Sequence, residues 1–262
     1  MRRQGLFWGS VILLLGALLL LQTLGVFSFN VWGVFWALFL IFLGVWFLVR
    51  SRQRGSQVAV ESLSIPRDGA MQASIEFHFG AGKLIVDALT SGDALLEGSF
   101  GGGVQHSVQP GAHTQVKLKN EPGPQAPHWV WEEGMRWDVH LAQGLQLDLQ
   151  FHTGAGENDI DLTNLDVKTL LLKTGVSSSR VILPARTQFT RVDVQAGVAS
   201  VNLTVPQGVA ARIHTEVGLT GLNIDTIRFP KTGDTYESPG YDSAPNRVEI
   251  SAKSGISSLE IR

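Results

Sequence analysis

Two histidines and three carboxylates are the residues whose types and spacing could do chemistry in this chain. His78 and His152 each stand two residues before a glycine, Gly80 and Gly154, in the related segments IEFHFGAGKLIVD and LQFHTGAGENDIDL. Two imidazoles meeting a third ligand can hold a transition metal. The other copies of the segment place Lys173, Gln195, Glu216 and Lys253 in the same column. That mixture reads as a solvent-facing strand position, so no metal site is expected. Glu157, Asp159 and Asp161 fall on alternate residues, which puts three carboxylates on one face of a strand. Such groups can do acid–base work or bind Ca²⁺, but no full Ca²⁺-loop pattern is present and a solvated face is the expectation.

Other chemistries fail on their own requirements. Gly80–Lys83 ends like a phosphate-binding loop, yet Phe77 and Leu84 occupy the places that motif gives to Gly and to Ser or Thr. Ser177, Ser178 and Ser179 lack the strained Gly-x-Ser-x-Gly turn of a hydrolase. Asn202-Leu203-Thr204 matches a glycosylation acceptor but lies in a predicted strand. The absence of cysteine removes disulfides, thiolate nucleophiles and Cys metal sites. The expectation is a protein with no catalytic residues, no metal and no cofactor, and hence not an enzyme. Trp129 and Trp131 flank Val130, so in an extended strand both rings face one side. They are the candidate partner-binding residues, but a cap over the end of the β body or a place in its core is the favoured reading. Trp137 begins the alternating WDVHL and reads as core.

The elements that carry these residues differ sharply in solvent. Of 262 residues 44% are hydrophobic and 17% charged. Residues 1–54 hold Arg2, Arg3, Arg50, Arg52 and Arg54 and no other charge, +5. The remainder keeps 16 of the 21 basic residues and all 23 acidic ones, −7. An acidic body argues against a nucleic-acid partner, because phosphate binding needs clustered Lys and Arg. Gly5–Leu21 and Val31–Val49 are uncharged apolar runs close to the ~20 residues that cross a bilayer. They predict a two-helix hairpin in the lipid bilayer over 1–54, with spans at about 5–26 and 31–49. A cleaved signal peptide is the competing reading, disfavoured by the second span that follows at once. The flanking arginines put both termini, and the body after them, on the cytoplasmic side of an inner membrane. Gly5 and Gly9 form a GxxxG spacing, which leaves a homo-oligomer open.

Residues 55–262 repeat. Six segments align on Gly80, Gly154, Gly175, Gly197, Gly218 and Gly255, and the central four glycines are 21, 22 and 21 residues apart. A fixed period of this size marks a stacked array. Apolar residues alternate after each glycine, as in Leu84/Val86, Val181/Leu183 and Leu259/Ile261, which predicts half-buried strands. The body is therefore expected to be all-β, a solenoid-like stack in which each repeat contacts the next, with a β-sandwich as the alternative. The glycine is expected at a bend, through positive φ or close backbone approach, with the apolar residue after it turned inward. Segments 98–137 and 229–247 break the period and are expected as inserted loops.

The paired spans, with GLFWG, VWGVFWALFLIFLGVWFLVR and a basic stop, resemble the LiaI/LiaF-like transmembrane region of bacterial membrane proteins. The body, with IEFHFGAGKLIV, LLEGSF, LDLQFHTGAGENDIDL and VEISAKSGISSLEIR, resembles the toast-rack type of β-repeat domain that accompanies it. The resemblance implies a membrane-anchored scaffold or modulator in cell-envelope stress signalling, with a membrane sensor kinase or another envelope-stress protein as partner. The alternative is an envelope-facing structural, adhesive or ligand-binding β protein, separated from the first reading by topology.

Overall fold

The computed structural model describes residues 60–90, 92–120, 135–217 and 220–262, together with Trp36, 39–44 and Trp46. The chain divides into two compact units, Met1–Gln57 and Val58–Arg262. In the first, Trp36, 39–44 and Trp46 are helical, and the expected hairpin otherwise lies outside the described residues. Among the described residues no helix is long and apolar enough to cross a membrane.

The second unit is β structure with one 3-10 turn at Tyr241–Ser243 among the described residues. Its strands are β1 (Val60–Pro66), β2 (Gln72–Ala88), β3 (Ala94–Gly101), β4 (Val104–Gln109), β5 (His113–Asn120), β6 (Arg136–Leu141) and β7 (Gln146–Asp161). There follow β8 (Asp166–Ile182), β9 (Phe189–Thr204), β10 (Ala210–Val217), β11 (Thr220–Ile224), β12 (Lys231–Thr232), β13 (Thr235–Glu237) and β14 (Arg247–Ile261). All belong to one sheet, in the order β1-β3-β6-β2-β7-β8-β9-β14-β10-β13-β12, with β5 added to β2, β4 to β5 and β11 to β14.

Five long strands, β2, β7, β8, β9 and β14, pair in parallel and build the centre. Each passes through both walls of the rack. In β9 the alternation of buried and exposed residues slips at Gly197 and Val198, both exposed between buried Ala196 and Ala199. A slip in a period-two pattern turns the strand's second half so that both halves bury residues in one core. At one end the walls separate: residues 72–78 of β2 pair with β5, and 83–88 pair with β6. At the other end β14 does the same, its first half pairing with β10 and its second with β11.

In-register pairing stacks like on like through the core. One rung sequence runs Leu118, Phe77, Phe151, Leu172, Val194, Ala252, and another runs Val139, Val86, Ile160, Val181, Leu203, Ile261, Ile224. All of these are buried. Burying a Val, Leu, Ile or Phe side chain contributes roughly 1.5–3 kcal/mol, so these ladders supply most of the cohesion between coils. Short connections return each coil to the first wall, and Leu162, Leu165, Leu183, Val205 and Val209 fill that second corner.

Three expectations are corrected. The segment 98–137 holds strands, the end of β3 with β4, β5 and the start of β6, and not merely a loop. The glycine-rich GSFGGG closes β3, with Phe100 fully buried against Trp137, and Gly102 and Gly103 at φ 85° make the turn into β4. The segment 229–247 carries β12, β13 and the 3-10 turn, and β13 covers β10 in antiparallel pairing. Finally, the sixth repeat does not follow the fifth in space: β14 lies between β9 and β10.

Candidate functional site

Glycines line up at the bend because the stack leaves no room for a side chain. A Cβ on Gly154 would sit 2.2 Å from the Gly80 carbonyl oxygen, one on Gly175 2.7 Å from that of Gly154, one on Gly197 3.0 Å from that of Gly175, and one on Gly255 3.2 Å from that of Gly197. Close approach is therefore the reason for these four glycines, whereas a Cβ on Gly80, the first of the column, would meet nothing within 4 Å. Positive φ belongs to the second glycines of the first two copies, Gly82 at 123° and Gly156 at 132°. The residue after the column glycine does not turn inward as expected: Val176 and Val198 are 62% and 54% exposed, because the slip at the bend sends two consecutive residues outward. Gly218 lies outside the described residues, as do Trp129 and Trp131. Trp137 is fully buried, packed between Phe79 and Phe100 at ring-centroid distances of 5.1 and 5.0 Å.

Along the outer face beside this bend runs a row of polar side chains in strict register: Lys119, His78, His152, Lys173, Gln195, Lys253, Glu216. The row lines a groove of ≈ 1090 Å³ that crosses seven strands and is floored by Gly80, Gly154, Gly175, Gly197 and Gly255. The missing side chains make the concavity, so packing and groove share one cause. Lys253 pairs with Glu216 at 2.9 Å, and its neighbours along the row differ in charge.

The groove's richest chemistry lies at its β2–β7 end. The His78 and His152 rings stack with centroids 4.8 Å apart and planes within 5°. Glu76, two residues before His78 on the same face, contacts His78 Nε2 through Oε1, which also lies 3.9 Å from His152 Nε2. Lys117 on β5 donates to both Glu76 oxygens, at 2.9 and 2.8 Å. Burial raises the Glu76 pKa, but hydrogen bonds from Lys117 and His78, with their charges, outweigh it and leave the carboxyl below its ordinary value. The His152 pKa is lowered, first by burial and then by His78, with Lys173 and Lys117 adding and Glu76 opposing. Both effects favour a carboxylate beside a neutral imidazole.

The expected column of mixed polar residues is present, but its two histidines do meet a third ligand group. The signal for Glu76 was its alternation with His78 in EFH. Lys117 was hidden because its segment reads as a loop. The three alternating carboxylates have separate partners: Glu157 meets Lys83 at 3.2 Å, Asp159 meets Arg180 at 3.9 Å, and Asp161 accepts from Thr163 N and Oγ1 at 2.9 and 2.6 Å. Ser177 and Ser179 join a polar cluster inside the bend, where buried Asn158 donates to Ser179 Oγ at 2.8 Å and to Thr153 Oγ1 at 3.3 Å, and Thr174 bonds Ser177. Asn202 on β9 donates to Glu260 on the neighbouring β14 at 3.1 Å.

The model of the N-terminal domain of toast_rack, DUF2154, matches residues 53–204, and that of the LiaF transmembrane domain matches residues 7–65. A solved protein of Clostridium sporogenes, provisionally described as a cell adhesion protein, superposes with a TM-score of 0.70 at 19% identity, covering 78% of this chain and 98% of that one. A provisionally described adhesin of Bacteroides fragilis gives a TM-score of only 0.30 at 9% identity, covering 79% of this chain and 98% of that one. No curated protein matches the sequence. The first superposition shows a shared fold. The family model spans more than half of the chain and ends on the bent strands that build the groove, and a membrane domain precedes it: the chain belongs to the toast-rack family, with a LiaF-type transmembrane domain at its N-terminal side.

Proposed function

We propose that this membrane-anchored protein is a non-enzymatic scaffold or modulator in bacterial cell-envelope stress signalling, working through protein–protein contacts from a cytoplasmic β domain. The observation that carries this reading is the joining, in one chain, of a LiaF-type transmembrane domain to a rigid β rack whose groove is long and lined by strand-borne side chains of mixed charge. Side chains held on paired strands are preorganised, which lowers the entropy cost of docking a partner. A membrane sensor kinase or another envelope-stress protein is the partner this role requires, and the transmembrane helices would meet it laterally. Deleting the gene and challenging cells with wall- and membrane-active agents tests the role: an altered envelope-stress reporter is expected, and an unchanged reporter under every agent sinks it.

A second reading is an envelope-facing adhesive domain, favoured by the description of the Clostridium sporogenes protein whose fold it shares. Orientation separates the two. The chain lacks cysteine, so one Cys placed at Gln125 reports topology to a membrane-impermeant maleimide. Labelling only after permeabilisation supports the signalling role, and labelling of intact cells supports adhesion.

A further inference from the structure

We propose that Glu76, His78 and His152 bind one divalent transition-metal ion of the Zn²⁺ class at the β2–β7 end of the groove. Their ligand atoms, one carboxylate oxygen and two imidazole nitrogens, lie within 4.8 Å of one another. Two imidazoles with a carboxylate suit Zn²⁺, Ni²⁺ or Cu²⁺ and not Mg²⁺ or Ca²⁺, which demand oxygen ligands. The set comes from two adjacent strands in fixed register, His78 opposite His152 and Glu76 on the same face as His78, so the backbone is already organised.

An ion about 2.0–2.2 Å from each ligand needs the nitrogens to converge, whereas stacked rings direct their in-plane lone pairs side by side. A turn of one ring about Cβ–Cγ supplies the convergence, and both side chains have room for it, being 34% and 29% exposed. The remaining coordination position opens to the groove, for water or for a partner's side chain. Lys117 is the built-in competitor. Its ammonium occupies both Glu76 oxygens, neutralising the carboxylate that the metal requires. Removing that charge therefore tightens metal binding, an effect that a purely structural role for Lys117 does not produce.

The test titrates the full chain in detergent micelles, stripped by chelator, with ZnCl₂ alone. Calorimetry is expected to show one equivalent bound at micromolar Kd. On the unmutated protein the ring-nitrogen resonances of two of the seven histidines shift together, so this readout does not depend on the folding of a variant. His78→Ala, His152→Ala and Glu76→Gln each weaken binding by at least about tenfold. Lys117→Gln strengthens it, and His140→Ala, in the separate pair with Asp87, leaves it unchanged. The proposal is overturned if no equivalent binds at micromolar Kd, or if binding survives the three ligand variants.

Discussion

The bend of the rack is built in two ways, and the contrast between its β2–β7 end and its β9–β14 end explains what the repeated glycine is for. In β2 and β7 the motif is Gly-Ala-Gly: the second glycine has positive φ, and the stack is so tight that a Cβ on Gly156 would lie 1.9 Å from the Gly82 carbonyl oxygen. In β9 and β14 the motif is Gly-Val-Ala and Gly-Ile-Ser, and the column glycines leave 3.0 and 3.2 Å to the neighbouring oxygen. Core volume differs in parallel. Phe77, Phe79, Phe100, Phe151 and Trp137 fill the first end, while Ala252 and Ala196 stand at the other where β2 has Phe77 and Phe79. A single motif column thus hides a graded clearance, and the strictness of each glycine should follow the distance to the carbonyl before it.

The largest expected effect breaks that gradient directly. Gly156→Ala combines a backbone clash with an unfavourable φ and should cost at least about 3 kcal/mol, whereas Gly255→Ala should cost under about 1 kcal/mol. Chemical denaturation of the full chain in micelles, with Gly154→Ala, Gly175→Ala and Gly197→Ala between these extremes, reads the series. Equal losses at every glycine would show that clearance is not the cause.

Aromatic filling gives the next contrast. Phe151, stacked on Phe77 at 4.7 Å, should lose about 3–5 kcal/mol on truncation to Ala, against less for Val194→Ala two rungs along the same ladder. A larger loss at Val194 would reverse the assignment of the dense end.

A smaller effect concerns the polar cluster under the bend. Asn158 and Ser179 occupy a rung that becomes Val201 and Leu259 in later coils. Asn158→Leu should cost about 1–3 kcal/mol by stranding its partners, and adding Ser179→Val should restore much of it. A double variant no better than the single one would mean that the cluster matters by shape and not by satisfied hydrogen bonds.

The smallest effect is titration at the groove. In metal-free protein the lowered His152 pKa means that the unfolded chain takes up its proton first, below the ordinary 6.5. That contribution to stability is complete above this value and is lost as pH falls through the lower folded pKa. Glu76 acts in the same direction below its ordinary 4.5. Denaturation midpoints should fall modestly between about pH 7.5 and about pH 5.5, and His152→Gln, which copies Gln195 of the β9 end, should flatten the slope. An unchanged slope in that variant would place the titration elsewhere.

Much of the β body is legible in the residues. Alternation marks Leu84/Val86 and Leu259/Ile261 as inward, and the polar column before each glycine is the row seen beside the groove. The inserted strands and the Lys117 contact were hidden by one cause, long-range pairing. The end of β3, β4, β5 and the start of β6 read as a loop over 98–137 because Phe100 and Trp137 find each other only after the strands pair antiparallel, and Lys117 reaches Glu76 only through β5. The exposed pairs Gly175–Val176 and Gly197–Val198 depart from the alternation because a corner interrupts the period of two.

The residues alone determined the period, the glycine column, the register of the outer row and the apolar segments that match a transmembrane domain, because each depends on local spacing and side-chain type. Only the tertiary structure decided that β14 inserts between β9 and β10, that β13 then covers β10, and that Glu76, His78 and His152 lie side by side. A parallel strand gains from two complementary neighbours whatever their place in the chain. The entropy of a longer connection grows only as the logarithm of its length, so the extended link between β10 and β14 costs little more than a short one.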